Sequence, residues 1–141
     1  MAYITDGRLV ENFTLAEMTN KQAKDTIKLV ITPAVVRHAQ MMQELRKWYN
    51  KSMTVNSWYR TKSFNASCGG NAKSPHLNGT ATDIAFPNLT EQHIINFNAK
   101  WKAICEKWGV VGGISIYKWG LHFDSNSDVY GLTSFRVNDY R

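Results

Sequence analysis

The chain has 141 residues, of which 43% are hydrophobic and 20% are charged, and its net charge is +6. This length is typical of one domain, and the composition excludes a disordered chain, so we expect a single domain over residues 1–141. A basic surface favours anionic partners. The sequence lacks the basic-aromatic runs and the motif spacings typical of nucleic-acid binding, so we expect no nucleic-acid partner.

The sequence also bears on location. It predicts no membrane span, because its apolar runs are short. Charged residues interrupt the first 20 positions, so we expect no secretory signal peptide there. We therefore expect synthesis in a cytoplasm, without export by the general secretory route. Cys68 and Cys105 are too far apart for a metal-binding knuckle, and we expect two free thiols.

The first half of the chain is predicted to contain two helices and one strand. A capping box of the Thr-x-x-Glu type predicts a short helix over 15–19. A Thr-Pro pair, typical of an N-cap and first helical position, begins a second helix, whose apolar residues recur at helical spacing over 33–50. His38 lies beside the apolar stripe of this helix, and we expect it to face solvent. Residues 53–58 have the pattern of a strand.

The second half is predicted to hold one helix among several strands. Residues 61–80 are rich in Asn, Ser and Gly and form a long loop, either ordered and functional or flexible. A strand over 82–86 precedes a helix with one apolar face, formed by Ile94, Phe97, Trp101, Ile104 and Trp108. Further strands are predicted over 112–117, 121–124 and 133–137. Helices followed by strands around one helix predict an α+β fold with a mostly antiparallel sheet.

Alternation along the strand over 82–86 separates Asp83 from the core. The large apolar residues of this strand share one face, since side chains alternate with a period of two. Asp83 therefore faces the other side, where an alanine two positions away in each direction leaves room for a ligand. The turn Asn78-Gly79 lies between His76 and this strand. It can fold His76 back toward the Asp83 carboxylate, because glycine tolerates a positive φ.

The strand over 121–124 repeats this arrangement. Its apolar residues take one face, whereas His122 and Asp124 share the other. A polar pair on an otherwise apolar strand needs partners, since buried polar groups must be satisfied. Two imidazoles and one carboxylate with an open fourth position form the ligand set of catalytic zinc. We therefore expect His76, Asp83 and His122 to bind Zn2+.

Four segments carry a resemblance to a known family. Ser57-Trp58-Tyr59-Arg60 is similar to a Ser-Gly-Tyr-Arg motif, except at its second position, and residues 74–83 match a Ser-x-His-x-x-Gly-x-Ala-x-Asp motif throughout. Residues 112–124 resemble the late strand of a branch that ends in His-x-Asp, and residues 11–18 resemble the opening segment of phage-type members. The chain thus resembles the D-alanyl-D-alanine carboxypeptidase and L-alanyl-D-glutamate endopeptidase family of zinc peptidases, which cut bacterial peptidoglycan stem peptides.

This resemblance implies a hedgehog/D-Ala-D-Ala peptidase-like domain in which His76, Asp83 and His122 hold zinc. Arg60 would hold the substrate through a carboxylate or the scissile carbonyl, using its planar set of donors. Ser74 would either donate to the substrate or only cap its turn. We expect the protein to be a monomer with bacterial peptidoglycan as its partner.

The sequence departs from the family at the general base. Several members place Glu or Asp three residues before the late histidine, where this chain has Trp119. The strand pattern favours Asp124 as the replacement, because it lies on the same face as His122. We expect it to act as the general base that accepts the proton of the zinc-bound water. The alternative is an acceptor that orients His122 through its other N–H.

Three functions follow as alternatives. We expect the first, a zinc peptidase of the endolysin type that cleaves stem peptides in the cell wall. The second is a D,D-carboxypeptidase acting on D-Ala-D-Ala termini. The third is a catalytically inactive, zinc-bearing binding or structural module of a phage particle, which Trp119 favours. The expected place of action is the bacterial cell wall, reached after release from a host cytoplasm or as part of a virion.

Overall fold

The computed structural model describes residues 7–19 and 29–141 of the chain. The α-helices in these residues are α1 (Leu15–Met18), α2 (Pro33–Tyr49), α3 (Lys62–Ser67) and α4 (Glu91–Trp108). The strands are β1 (Arg8–Val10), β2 (Phe13–Thr14), β3 (Thr54–Ser57), β4 (Ala81–Ala85), β5 (Gly113–Tyr117), β6 (Gly120–Asp124) and β7 (Arg136–Asp139). No helix in this part of the chain is both long and apolar enough to cross a membrane.

Helices α1, α2 and α4 lie where the sequence predicts helices. The capping box at α1 is present, because Thr14 and Glu17 each accept a hydrogen bond from the other's backbone N–H. The N-cap of α2 is Thr32, whose hydroxyl accepts from the Val35 N–H at 3.2 Å. The small β1–β2 hairpin ahead of α1 was not predicted, since strands of two or three residues are too short to show a period.

The segment predicted as a long loop over 61–80 is ordered. It contains α3 and the 3-10 helix Pro75–Asn78, each of which begins at a hydroxyl N-cap, Thr61 and Ser74 respectively. Both helices are too short for a hydrophobic repeat, so only their caps could have indicated them in the sequence.

The main sheet has the strand order β3-β4-β6-β5-β7. Strand β7 runs parallel to β5, and every other neighbouring pair is antiparallel. The prediction of an α+β fold with a mostly antiparallel sheet is therefore confirmed. The last strand was predicted three residues too early, because pairing with β5 begins only where Arg136 lies opposite Gly113.

The two faces of this sheet differ in polarity. One face is apolar and joins the hydrophobic core with α2 and α4, through Ile84, Ile114, Ile116, Leu121 and Phe123. Trp101 is fully buried in this core, as predicted, whereas Trp108 is half-buried and donates its Nε1–H to Glu44 at 3.0 Å. The opposite face carries the polar residues that the sequence singles out.

The prediction that His38 faces solvent is wrong. Its side chain is fully buried, and Trp58 and Trp101 pack edge-on against the imidazole. One ring nitrogen lies 2.9 Å from the Thr82 hydroxyl and the other 2.8 Å from the Ser125 hydroxyl, so the ring joins α2 to the sheet. Burial lowers the pKa of His38 to about 3, so this imidazole is neutral at pH 7.

We expect His38 to make the fold sensitive to acid. Its pKa is about 6.5 when unfolded and about 3 when folded, so its contribution to stability is present above pH 6.5 and is lost as the pH falls below that value. Between pH 7.5 and 5.0 the wild type should lose about 2 kcal/mol more unfolding free energy than His38→Gln, whose amide does not titrate. Urea unfolding in the presence of a chelator measures this difference.

The matched control is His93→Gln, which changes an exposed histidine at the start of α4 to a residue that can keep its capping bond. This variant should retain the acid sensitivity of the wild type. Equal losses in the His38→Gln protein and the wild type would contradict a neutral buried imidazole.

Candidate metal centre

The register of the main sheet aligns the polar residues that form the base of the site. Asp83 on β4 lies opposite His122 on β6, and Ser57 on β3 lies opposite Asp83 from the other side. The row continues to Ser115 on β5 and Asn138 on β7. Directly paired residues share one face of a sheet, so these five polar side chains form one row on the face away from the core.

The second histidine reaches this row from outside the sheet. The 3-10 helix Pro75–Asn78 begins at Ser74 and ends at Gly79, whose φ of 69° favours glycine. This short helix places His76 Nε2 3.3 Å from Asp83 Oδ2. His122 Nδ1 lies 2.8 Å from the other carboxylate oxygen, Oδ1.

These three residues fit a zinc ion by the chemistry of their donors. One ligand atom from each of His76, Asp83 and His122 lies within 4.8 Å of the others. His76 Nδ1 lies 2.5 Å from the Trp58 carbonyl oxygen, which can only accept, so this nitrogen carries the hydrogen and Nε2 presents its lone pair to the site. Catalytic zinc sites commonly use two imidazoles and one carboxylate as ligands, with a hydrogen-bond acceptor behind each imidazole.

The protonation states of His76 and Asp83 suit metal ligands. Burial lowers the pKa of His76, which keeps its imidazole available as a neutral ligand. Burial alone would raise the pKa of Asp83, but the adjacent His76 and His122 hold that pKa well below its usual range. Arg60 adds an ion pair at 3.1 Å, so Asp83 is ionised at neutral pH.

Arg60 lies at the edge of this cluster. Besides the bond to Asp83, its Nε donates to Ser57 Oγ at 3.0 Å and its Nη1 donates to Asn65 Oδ1 at 3.3 Å. Three partners fix the plane of the guanidinium, and the side chain remains 14% exposed. Ser74 accepts from the His76 N–H at 3.2 Å, so it caps the turn that carries His76.

Asp124 lies behind His122, on the side of the ring away from Asp83. It is 0% exposed, and its Oδ2 accepts from His122 Nε2 at 2.9 Å. Ser127 and Arg136 also donate to this carboxylate. Burial opposes ionisation, but the bond from His122 and the charge of Arg136 lower the pKa of Asp124.

Arg136 contacts the site but was not singled out by the sequence analysis. Its guanidinium also donates to Ser115 and Asn138, so it joins Asp124 to the polar row. The arginine lies against Gly113, where a Cβ would come within 3.0 Å of it. No local pattern indicated this role, because the contacts of Arg136 depend on the pairing of β7 with β5.

A cleft in two parts opens over the cluster. One cavity of about 380 Å³ is lined by the three candidate ligands together with Ser74, Asn71, Tyr117, Tyr130 and Tyr140. A second cavity of about 460 Å³ includes Trp119, and both cavities are lined by Arg60, Gly69, Gly70, Asp83 and Tyr117. Among the described residues that line them, Asp83 is the only carboxylate, and Cys68 is an exposed free thiol in the second cavity.

Comparisons with known proteins show the family and the fold of this chain. A family model described as Peptidase M15 matches residues 11–122. Among solved structures, the crystal structure of Serratia marcescens L-Ala D-Glu endopeptidase ChiX is similar, with a TM-score of 0.50 and 15% sequence identity over 72% of this chain and 85% of that chain. At this identity the likeness shows the fold alone. No curated protein matches the sequence.

We expect about one zinc ion per chain, and its binding should depend on the three candidate ligands. The double variant His76→Ala, His122→Ala removes both imidazoles and should retain almost no zinc after dialysis. Elemental analysis measures the occupancy, and His93→Ala, which removes an exposed histidine, is the matched control. Full zinc occupancy in the double variant would show that the metal binds elsewhere.

Proposed function

Since the chain belongs to the peptidase M15 family, we propose that it is a zinc-dependent peptidase that hydrolyses peptide bonds in bacterial peptidoglycan stem peptides. The observation that carries this proposal is the cluster of His76, Asp83 and His122 at the base of an open cleft. The similar fold of a protein described as an L-Ala D-Glu endopeptidase supports the substrate class. The expected action after release from a host cell, or within a phage particle, is part of the same proposal.

His76, Asp83 and His122 would hold the zinc ion. A zinc ion at such a site lowers the pKa of a water ligand to roughly 7 and polarises the carbonyl of the scissile bond. Arg60 would bind a carboxylate or carbonyl of the substrate, because its ion pair with Asp83 already fixes the guanidinium beside the ligands.

Two tyrosine hydroxyls would assist the reaction. Tyr117 and Tyr130 line the cavity that contains the ligands. Burial raises the pKa of Tyr117 and of Tyr130, so both hydroxyls stay protonated at neutral pH. Each could then donate a hydrogen bond to a carbonyl oxygen as negative charge develops on it.

For Asp124, we propose that it orients His122, in place of the general-base role that the sequence analysis favours. Its carboxylate is fully buried and accepts from His122 Nε2, while Ser127 and Arg136 hold it in place. An acceptor behind a ligating histidine fixes the ring and its tautomer. The same contacts turn the carboxylate away from the cleft, whereas a general base must reach the proton that it accepts.

Trp119 favours a second candidate function. It stands where several relatives of the resembled family keep an acidic residue, so the chain could hold zinc as an inactive module.

Mass spectrometry of purified peptidoglycan after incubation with the protein distinguishes the candidates. Cleavage between L-Ala and D-Glu indicates the endopeptidase, and loss of a single D-Ala indicates the carboxypeptidase. A zinc-loaded protein that releases no fragment would be the inactive module.

We expect Arg60→Lys to lower the rate of peptidoglycan hydrolysis roughly tenfold or more, because an ammonium cannot reproduce the bidentate geometry of a guanidinium. Zinc content and melting temperature should stay close to those of the wild type. Arg46→Lys, in the last turn of α2, is the matched control and should keep full activity. A wild-type rate in the Arg60→Lys protein would exclude the substrate-binding role.

We expect Asp124→Asn to weaken zinc affinity by roughly 10–100-fold, because it weakens the acceptor that orients His122. Activity should then recover when zinc is added in excess. Competition with a fluorescent chelator measures the affinity, and turnover is followed on the same samples. Asp128→Asn, at a nearby exposed carboxylate, is the control.

The general-base role makes the opposite prediction for Asp124→Asn. Zinc affinity would stay unchanged, while turnover at saturating zinc would fall by roughly 10²–10⁴. That result would overturn the positioning role.

A further inference from the structure

Three aromatic rings form a continuous stack beside the candidate metal centre. The Trp119 and Tyr117 rings lie 4.8 Å apart with 14° between their planes, and Tyr140 stacks on Tyr117 at 5.2 Å and 25°. Trp119 ends the stack and is 37% exposed. An aromatic ring that is stacked on one side and open on the other is a ready contact surface.

The fold holds this indole in place. Trp119 lies in the turn between β5 and β6, and its carbonyl oxygen accepts from the Phe86 N–H at 2.9 Å. At the next residue, Gly120, a Cβ would come within 2.0 Å of the Ile84 carbonyl oxygen, so only glycine allows this close approach of turn and strand. A ring that is fixed before binding loses little entropy when a ligand arrives.

The cavity next to Trp119 combines aromatic and polar walls. Phe64 contributes a second ring, and Asn56, Ser57 and Arg60 contribute polar atoms. Its volume of about 460 Å³ lies within the range of small-molecule sites. The cavity also shares Arg60, Asp83 and Tyr117 with the cavity that contains the metal ligands, so one substrate can occupy both.

From this juxtaposition we infer that the Trp119 cavity is a sugar-binding subsite, which takes a pyranose ring of the peptidoglycan glycan strand. This inference rests on the proposed function and extends it. A pyranose has C–H faces that can pack on the negative face of an indole, and a rim of hydroxyl and amide groups that can bond to Asn56, Ser57 and Arg60. An apolar peptide side chain would contact the rings but could form no hydrogen bond with these polar groups.

The position of the subsite also bears on the bond that is cut. In peptidoglycan the stem peptide is joined to the glycan through its first residue, whereas D-Ala-D-Ala lies at its far end. A sugar bound in the Trp119 cavity would place the beginning of the stem peptide in the adjoining cavity, beside His76 and His122. The subsite therefore favours cleavage near the glycan over removal of the terminal D-Ala.

Calorimetric titration of the zinc-loaded protein with the disaccharide of N-acetylglucosamine and N-acetylmuramic acid tests the subsite without any peptide bond to cut. We expect the wild type to bind it, Trp119→Ala to bind it roughly tenfold more weakly, and Trp119→Phe to retain most of the affinity. Trp48→Ala is the matched control, since Trp48 is 41% exposed on α2 and lines neither cavity. Equal binding by Trp119→Ala and the wild type, or no binding by the wild type, overturns the inference.

A second measurement needs no variant. The KM of the wild type should be roughly tenfold lower for a glycan-linked stem peptide than for the same peptide without sugars. Equal KM values would also overturn the subsite. If neither substrate is cut but the disaccharide binds in a Trp119-dependent way, the proposed peptidase function fails while the sugar site stands.

Discussion

Antiparallel pairing of β4 with β6 sets Asp83 directly opposite His122, and the remaining geometry of the site depends on this register. A slip of β4 by one residue would turn Asp83 into the core and bring apolar residues of this strand to the cleft. Such a slip is costly, because the alternate positions of both strands are buried in the hydrophobic core. The packing of the apolar face therefore fixes the spacing of the donors on the polar face.

The polar cluster also balances its charge. Asp83 and Asp124 are ionised and buried, and each is paired with a guanidinium, Arg60 and Arg136 respectively. Uncompensated buried charges would be expensive, whereas these pairs have hydrogen bonds on several sides. These four charges sum to zero. Burial disfavours a charge on His122, but its hydrogen bonds to Asp124 and Asp83 raise its pKa to about 9, so without a metal ion its imidazolium adds one positive charge. Asp83, which lies between the two histidines, would supply the main attraction for a bound metal ion.

The sequence predicted those parts of the site that depend on alternation, and it missed those that depend on packing between distant segments. Strand period alone put Asp83 and His122 on the polar face. The burial of His38 depends on Trp58 and Trp101, which come from other parts of the chain, so the helical repeat could not show it. The role of Arg136 depends on β7 lying parallel to β5, a pairing that no local pattern specifies.

Trp119 stands where several members of the resembled family carry an acidic residue, and this difference affects the charge of the cleft. Apart from Asp83, the charged and polar groups that line it in the described residues are donors or neutral groups, including Arg60, Tyr117 and Tyr130. Asp83 is therefore the single source of negative charge in this described lining, and the other groups can donate hydrogen bonds to several acceptors at once. A stem peptide carries carboxylates as well as the carbonyl that becomes negative in the transition state. Under the proposed function, an indole in place of an acid at this turn would favour binding of an anionic peptide, and it would contact the sugar to which that peptide is attached.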